Sequence, residues 1–337
     1  MTPSRAADAA ATVPARAVFF GSGGFALPIL QALLDLPAVA IVGVVTAPDR
    51  PAGRKGAARA TPVARAARAS GLALLQPASL RDGAAVAAIR DLRPEVGLLA
   101  DYGRIVPQAI LDLPAAGFLN VHPSLLPRHR GAAPIPAAIL GGDSRTGVTI
   151  IRMEAGLDTG PIVAAEAFPL EGTETAPELE ARAAAIGAEL TARVVPRWLR
   201  GEIVPAPQSE ASATMTRPLR RDDGRLVPNL AAAELERRVR AMQPWPGAWL
   251  QLAGTPDDAN RVAVLRASVA PPRLGDIAAT IVDDDGGVAI STGSGRLRLI
   301  EVQPAGRRAM SGEAWRRGRP GIIGTAVEFR AVSGSPA

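Results

Sequence analysis

Asn120 and His122 flank Val121 in the run Phe118-Leu119-Asn120-Val121-His122-Pro123. In an extended strand alternate side chains share a face, so this spacing sets a carboxamide beside an imidazole while Leu119 and Val121 point into the sheet covering. Pro123 would end the strand just past His122, leaving the pair at a strand tip, and ligands of open α/β sheets bind at the carboxyl ends of strands. After one more apolar run, 147–153, comes Gly156-Leu157-Asp158-Thr159-Gly160. Asp158 lies between two glycines in a loop after a strand expected to neighbour the first. Its carboxylate is thereby expected within reach of His122, with the glycines letting backbone approach a substrate. No covalent nucleophile accompanies these three side chains. The chain has no cysteine, and Ser124 lies beyond Pro123 and outside any G-x-S-x-G turn. The set suits direct attack of an amine on a bound carbonyl, which needs a donor for the developing oxyanion and a base or relay for the amine proton.

These residues require a sheet to hold them. Ala17 to Phe20 reads as a buried strand running into Gly21-Ser22-Gly23-Gly24, Phe25 to Leu36 as a helix, and Val39 to Val45 as a second strand rich in β-branched residues. Strand, glycine turn, helix and strand make a βαβ unit, and fully apolar strands suit a parallel sheet covered on both faces. The alternation continues through a helix at 84–92 and strands at 96–100, 118–121 and 147–153, followed by a long amphipathic helix over 175–199. The predicted fold class is α/β: a Rossmann-like open sheet over 16–203, a linker over 204–218, and a small β-barrel (OB-like) domain over 219–330. Residues 1–15 are expected to form a disordered extension.

Composition narrows the chemistry further. The chain has 337 residues, with 38 Lys+Arg against 32 Asp+Glu and a net charge of +6. Its pI near 11.0 records scarcity more than basicity. Lys55 is the only lysine and Tyr102 the only tyrosine, so few groups lose protons between neutrality and the arginine range. Two histidines and no cysteine rule out a disulfide framework, thiolate metal sites and a multi-histidine centre, and no metal is expected. No apolar run approaches the ~20 residues of a bilayer span. A cytoplasmic location and a monomer are expected. The charge is unevenly placed. A loop holding Arg50, Arg54, Lys55 and Arg59 among prolines and glycines forms a basic arm suited to a phosphodiester backbone, and from Arg217 onward 18 arginines face 13 acids.

Asn120-Val-His-Pro-Ser-Leu-Leu-Pro127, the following Arg128-His-Arg-Gly-Ala-Ala-Pro-Ile135 and Gly156-Leu-Asp-Thr-Gly160 resemble the folate-dependent formyltransferases. The resemblance extends over about 17–319 and includes Pro48-Asp-Arg-Pro-Ala-Gly-Arg54, Gln243-Pro-Trp-Pro246 and Ile300-Glu-Val-Gln-Pro-Ala-Gly306. It implies transfer of a formyl group from 10-formyltetrahydrofolate, used as a co-substrate, to the amino group of initiator methionyl-tRNA. Asn120, His122 and Asp158 become the catalytic set, Ser124, Leu125, Leu126 and Pro127 the folate-side loop, and Arg50, Arg54, Lys55 and Arg59 the tRNA-binding arm. Val227 and Pro228 depart from the family, whose members usually carry an acid and a tryptophan there. Two other readings compete. A formyltransferase acting on a small amine, such as a nucleotide sugar or glycinamide ribonucleotide, would share the same active-site motif. A nicotinamide-dependent oxidoreductase would use Gly21-Ser-Gly-Gly-Phe-Ala26, which fits the dinucleotide fingerprint but has no convincing acidic partner after the second strand.

Overall fold

The structure is a computed structural model that describes residues 13–52, 57–254 and 260–328. The extension 1–15 and the arm residues Arg54 and Lys55 therefore fall wholly or largely outside the described residues. Two compact units emerge. The first takes residues up to Gly131, Gly147–Phe168 and Glu180–Met215; the second takes Ala132–Thr146, Pro169–Leu179 and the chain from Thr216 onward. The 132–146 and 169–179 stretches lie inside the 16–203 span that sequence reasoning treats as one domain.

The first half of the chain runs β1 (Ala15–Gly21), α1 (Ala26–Leu34), β2 (Val39–Val45), β3 (Arg50–Ala52), β4 (Ala57–Arg59), α2 (Pro62–Ala69), β5 (Leu74–Leu75), α3 (Gly83–Asp91), β6 (Val96–Ala100), α4 (Gln108–Leu111) and β7 (Phe118–His122). It continues through β8 (Arg130–Gly131), α5 (Pro134–Gly141), β9 (Arg145–Arg152), β10 (Ile162–Pro169) and α6 (Ala176–Leu199). Seven strands form one sheet in the order β10-β9-β7-β6-β1-β2-β5. The pairs β1–β2, β1–β6, β2–β5 and β6–β7 are parallel, as an apolar βαβ reading requires. Every residue of β6 and β7 is buried, because a parallel sheet is covered on both faces. β1 has β2 on one side and β6 on the other, so the chain changes direction across the sheet between β1 and β6, where open sheets form their ligand crevice.

β9 departs from the parallel pattern. It pairs with β7 antiparallel, setting His122 opposite Thr149 and Leu119 opposite Arg152. The loop carrying Asp158 therefore leaves beside the beginning of β7 and must turn back to reach its tip. Backbone bonds from Met153 N to Phe118 O (2.8 Å) and from Arg152 N to Pro161 O (3.0 Å) clamp the two ends of that excursion.

The second unit is built on an antiparallel sheet of β12 (Ala248–Gln251), β13 (Arg261–Ala270), β14 (Ile281–Asp284), β15 (Gly287–Ser291), β16 (Arg296–Pro304) and β17 (Met310–Ser311), after β11 (Met215–Thr216) and α7 (Ala232–Ala241) and before α8 (Gly312–Arg317). Leu250, Val264, Ile290, Leu297, Leu299 and Trp315 fill its core. The sheet order is β12-β13-β16-β15-β14, which leaves β12 and β14 as edges. Residues 324–328 lace the two together: Ala253 N bonds to Ala326 O and Glu328 N to Gln251 O on one side, and Val327 N to Ala279 O and Ile281 N to Thr325 O on the other, each at 2.8 Å. Exposed strand edges invite unwanted pairing, and this segment closes the sheet into the small barrel expected from the close-spaced strands.

Many arginines of this unit are consumed internally. Arg296 and Asp284 are both sealed from solvent at 2% side-chain exposure. Arg296 also pairs with Asp276 at 3.0 Å and donates to Asp283 O, while Arg298 bonds to Asp284. Arg273 is tied to Asp285, Arg316 to Asp283 and Arg217 to Asp223. Ion pairs thus hold several arginines of this unit, each against an acid, and leave its excess of arginine over acid in place. Removing one partner of a buried pair strands the other, at a typical cost of about 3–5 kcal/mol. Asp284→Ala is expected to lower unfolding stability by that order in urea titrations, and replacing Arg296 and Asp284 together by apolar residues to recover much of the loss.

Candidate active site

β7 delivers Asn120 and His122 to one face, both almost fully buried. Asp158 comes from the returning loop and binds them into one cluster. Its Oδ1 accepts from Asn120 Nδ2 at 3.0 Å, its Oδ2 accepts from Gly131 N at 2.8 Å, and Oδ2 stands 3.6 Å from His122 Nδ1. The other ring nitrogen, Nε2, lies 3.0 Å from His129 O. Since a carbonyl only accepts, Nε2 carries hydrogen and donates there. The three residues singled out by spacing are therefore brought together.

The backbone carrying Asp158 is bent hard. Asp158 adopts a left-handed φ of +55°, which aspartate tolerates better than most residues, and the flanking glycine has a packing role. A Cβ on Gly160 would stand 1.8 Å from Arg152 O. Gly160 thus serves closure of the loop onto β9, a different use from the approach to a substrate expected from sequence.

Gln208 completes the clamp. Its Nε2 donates to Asp158 O (2.8 Å) and Gly160 O (2.7 Å), and its Oε1 accepts from Arg130 Nε (3.0 Å) and Nη2 (2.8 Å). Arg130 in turn forms a two-point pair with Glu210, at 2.8 and 2.9 Å, and this partner raises its pKa above the ordinary guanidinium value. Gln208 and Glu210 fall in the 204–218 stretch expected as a linker. That stretch is fastened to the first unit, with Ile162 and Ala206 exchanging two backbone bonds and Thr214 O accepting from Arg130 N. Sequence reasoning missed Gln208, Arg130 and Gly131 N because a polar residue in a proline-rich stretch gives no local sign of a distant partner. The one available hint was Arg130-Gly131 beside the Asn-x-His element.

The expected folate-side loop divides into two kinds of residue. Ser124 is fully buried and donates to Arg128 O at 2.7 Å, while its own carbonyl accepts from Thr149 Oγ1 at 2.7 Å. Leu126 is also buried and its N–H bonds to Thr149 Oγ1. These two hold the loop in shape. Leu125 and Pro127 are half-buried and keep surface to offer.

The glycine turn after β1 is already occupied. A Cβ on Gly23 would lie 1.6 Å from Asp101 Oδ2, and Ser22 N and Gly23 N both donate to Asp101 O. Glu180, from α6, lies near Gly24. Asp101 as a residue is exposed, but its carboxyl group is set against the glycine turn, where desolvation, and secondly the Glu180 charge, push its pKa up to about 7. A pyrophosphate placed on this turn would meet carboxylates where a dinucleotide site offers free N–H groups. The fingerprint Gly21 to Ala26 therefore serves tight packing, and nothing here favours nicotinamide binding.

A carboxamide, an imidazole and a carboxylate gathered on a sheet of this topology, with no hydroxyl or thiol nucleophile among them, define a direct group-transfer enzyme. The formyl transferase family model matches residues 15–195 and the formyl transferase C-terminal domain model residues 218–320. The chain belongs to the formyl transferase family. It is 44% identical to the methionyl-tRNA formyltransferase of Roseiflexus sp. (strain RS-1), covering 91% of this chain and 93% of that protein. It is also 44% identical to the methionyl-tRNA formyltransferase of Thermus thermophilus, covering 90% and 96%. Among solved structures, an N-formyltransferase from Helicobacter canadensis in complex with folinic acid and dTDP-3-aminofucose shares the fold, with a TM-score of 0.62, 16% identity and coverage of 85% of this chain and 98% of that one.

Two outcomes follow from this geometry. Gln208→Ala should free the Asp158 loop and lower turnover by up to roughly a hundredfold, with thermal stability nearly unchanged in calorimetry. Asp101 binds a proton in the folded chain between about pH 4 and 7 that the unfolded chain releases, so its contribution to stability falls as pH rises through that window. Asp101→Asn should therefore gain stability relative to the parent between pH 4 and 7 and keep a constant difference above, as read from urea midpoints; a difference that does not change with pH would contradict the assignment.

Proposed function

We propose that this protein transfers the formyl group of 10-formyltetrahydrofolate to the amino group of initiator methionyl-tRNA. The observation that carries the reading is the Asn120–Asp158–His122 cluster, in which one carboxylate is hydrogen-bonded to the carboxamide and faces the imidazole. The acceptor is supported by the relatives named methionyl-tRNA formyltransferase, similar over nine-tenths of the chain. The donor class is supported by the folinic acid in the Helicobacter canadensis complex. Residues 16–203 form the catalytic domain and 219–330 the tRNA-binding barrel domain in this reading, with 204–218 joining them.

The amine nitrogen attacks the formyl carbon, and the carbonyl pair of electrons moves onto oxygen. Asn120 Nδ2 has a second N–H beyond the one given to Asp158, and it serves the oxyanion. His122 has acceptors facing both ring nitrogens, His129 O and the Asp158 carboxylate, an environment suited to a ring that carries hydrogen on both and adds positive charge beside the oxyanion. Asp158 holds this pair and takes the amine proton, directly or through water. Collapse of the tetrahedral adduct then breaks the bond from the formyl carbon to the donor nitrogen, which leaves as a neutral amine by taking up the proton that the attacking amine gave up to Asp158. Leu125 and Pro127 present apolar surface on the donor side, shaped by the buried Ser124 and Leu126. Arg50 and Arg59, with Arg54 and Lys55, hold the acceptor's phosphates.

The direct test incubates the protein with 10-formyltetrahydrofolate and charged initiator methionyl-tRNA and measures formyl-methionine. Formylation of nucleotide sugars or glycinamide ribonucleotide with none of the tRNA would instead establish the small-amine reading. Removing one oxyanion donor typically costs about 3 kcal/mol, or a factor of about 10² to 10³ in kcat. Asn120→Ala should show that loss, and His122→Ala at least as much, with tRNA affinity nearly intact. Parallel losses in kcat and tRNA affinity would make these residues structural.

A further inference from the structure

A concavity of about 440 Å³ lies within the first unit, and its lining includes none of Asn120, His122 and Asp158. It is lined by the β2–β3 loop (Ala47, Pro48 and Arg50), by Arg59 and Ala60, by the start of α2 (Thr61, Pro62 and Arg65), and by Tyr102, Gly103 and Arg104 after β6. Four arginines converge on it. Arg65 is braced by Ala60 O at 2.9 Å and Arg104 by Pro77 O and Ala78 O at 3.1 Å each. Backbone carbonyls position these guanidinium groups without neutralising them. Among the described residues none of the four forms an ion pair with a carboxylate, in contrast to Arg273, Arg296, Arg298 and Arg316 of the second unit. The nearby Asp49 is committed elsewhere, to Gln76 first and Arg68 second, and these partners hold its pKa below the usual carboxylate value.

Three further features fit an anionic ligand. α2 starts at Pro62 with no acidic residue in its first turn, so the positive end of its dipole is unopposed. Thr61 caps it, accepting from Ala64 N at 2.9 Å, and is anchored to the buried Thr46 hydroxyl at 2.8 Å. Tyr102 is 2% exposed, and its hydroxyl, which has at most the neighbouring Arg104 guanidinium as a polar partner, is not fully satisfied within the protein. A buried polar group left short of partners is costly, and this one belongs to a pocket-lining residue beside the Arg104 charge. Between the cations the lining is apolar: two alanines, two prolines and a glycine. A site for a bare inorganic anion would need no such surface, whereas cations around an apolar floor suit a ligand with both a phosphate and a ring. Guanidinium forks match phosphate geometry.

We propose that this pocket binds one nucleoside phosphate unit, its phosphate held by Arg50, Arg59, Arg65 and Arg104 and its ring laid against Pro48 and Pro62. The proposal deepens the tRNA reading, on which it rests for the source of the ligand, since Arg50 and Arg59 belong both to this pocket and to the basic arm. The ligand is then a nucleotide of the acceptor strand, and a free nucleotide has the same chemistry.

The test measures calorimetric binding of AMP, CMP, the dinucleotide CpA, inorganic phosphate and triglutamate to the full chain and to Arg65→Ala, Arg104→Ala and Tyr102→Phe. Each arginine variant should weaken nucleotide binding about tenfold, and Tyr102→Phe, which removes only the hydroxyl, several-fold. Unaltered melting temperatures exclude misfolding. In the same variants, a raised KM for charged tRNA with kcat retained identifies the strand as the source, and an unchanged KM identifies a free nucleotide. Absence of nucleotide binding, binding that the substitutions leave unchanged, or phosphate and triglutamate binding as tightly as the nucleotides would each overturn the assignment. Formyl-methionine synthesis is scored separately: its absence with nucleotide binding intact overturns the proposed acceptor and leaves the pocket standing, and the converse result does the reverse.

Discussion

One carboxylate organises the residues gathered at the tip of β7. Asp158 arrives from a strand that runs against β7, so its loop must double back, adopt a left-handed backbone at Asp158 and pass close over Arg152. Its side chain then takes hydrogen bonds from Asn120 and Gly131 N and faces His122. An ionised group this enclosed is tolerable only when donors surround it, and each donor here is itself fixed by the fold. The constraint travels outward through Gln208 and Arg130 to Glu210. A segment that looks like a connection between domains is therefore part of the network that holds Asp158.

Charge is used differently in the two units. In the barrel, Arg296 and Arg298 converge on Asp284, and Arg273 is tied to Asp285. Around α2, Arg65 and Arg104 are positioned by carbonyls and remain uncompensated. Paired guanidinium groups have little attraction left for a distant polyanion, while braced and unpaired ones keep it. One cluster of such uncompensated cations lies beside the sheet, near the carboxyl ends of β2 and β6.

Much of the architecture was legible because its signals are local. Unbroken apolar strands separated by helices announce a covered parallel sheet, and a period of two places Asn120 beside His122. The glycine-flanked Asp158 was legible as a loop carboxylate, although the antiparallel sense of β9 was not, since a strand's direction leaves no mark on its own composition. Other features misled or were silent. The Gly21 to Ala26 turn carries the pattern of a dinucleotide site, but Asp101, eighty residues away, fills it. The segment 324–328 shows no strand pattern of its own, yet it joins both edges of the barrel sheet.

The sequence by itself determined the element types, the shared face of Asn120 and His122 on β7 and the absence of a cysteine nucleophile, because periodicity and composition act over a few residues. Tertiary structure decided which of those groups meet. It chose the partners of Asp158, assigned Gly160 to loop closure and Gly23 to the Asp101 carboxylate, paired Arg273, Arg296, Arg298 and Arg316 with acids and left four others open around one pocket. Each of these depends on contacts between residues far apart in the chain, and such contacts exist only once the backbone has closed around them.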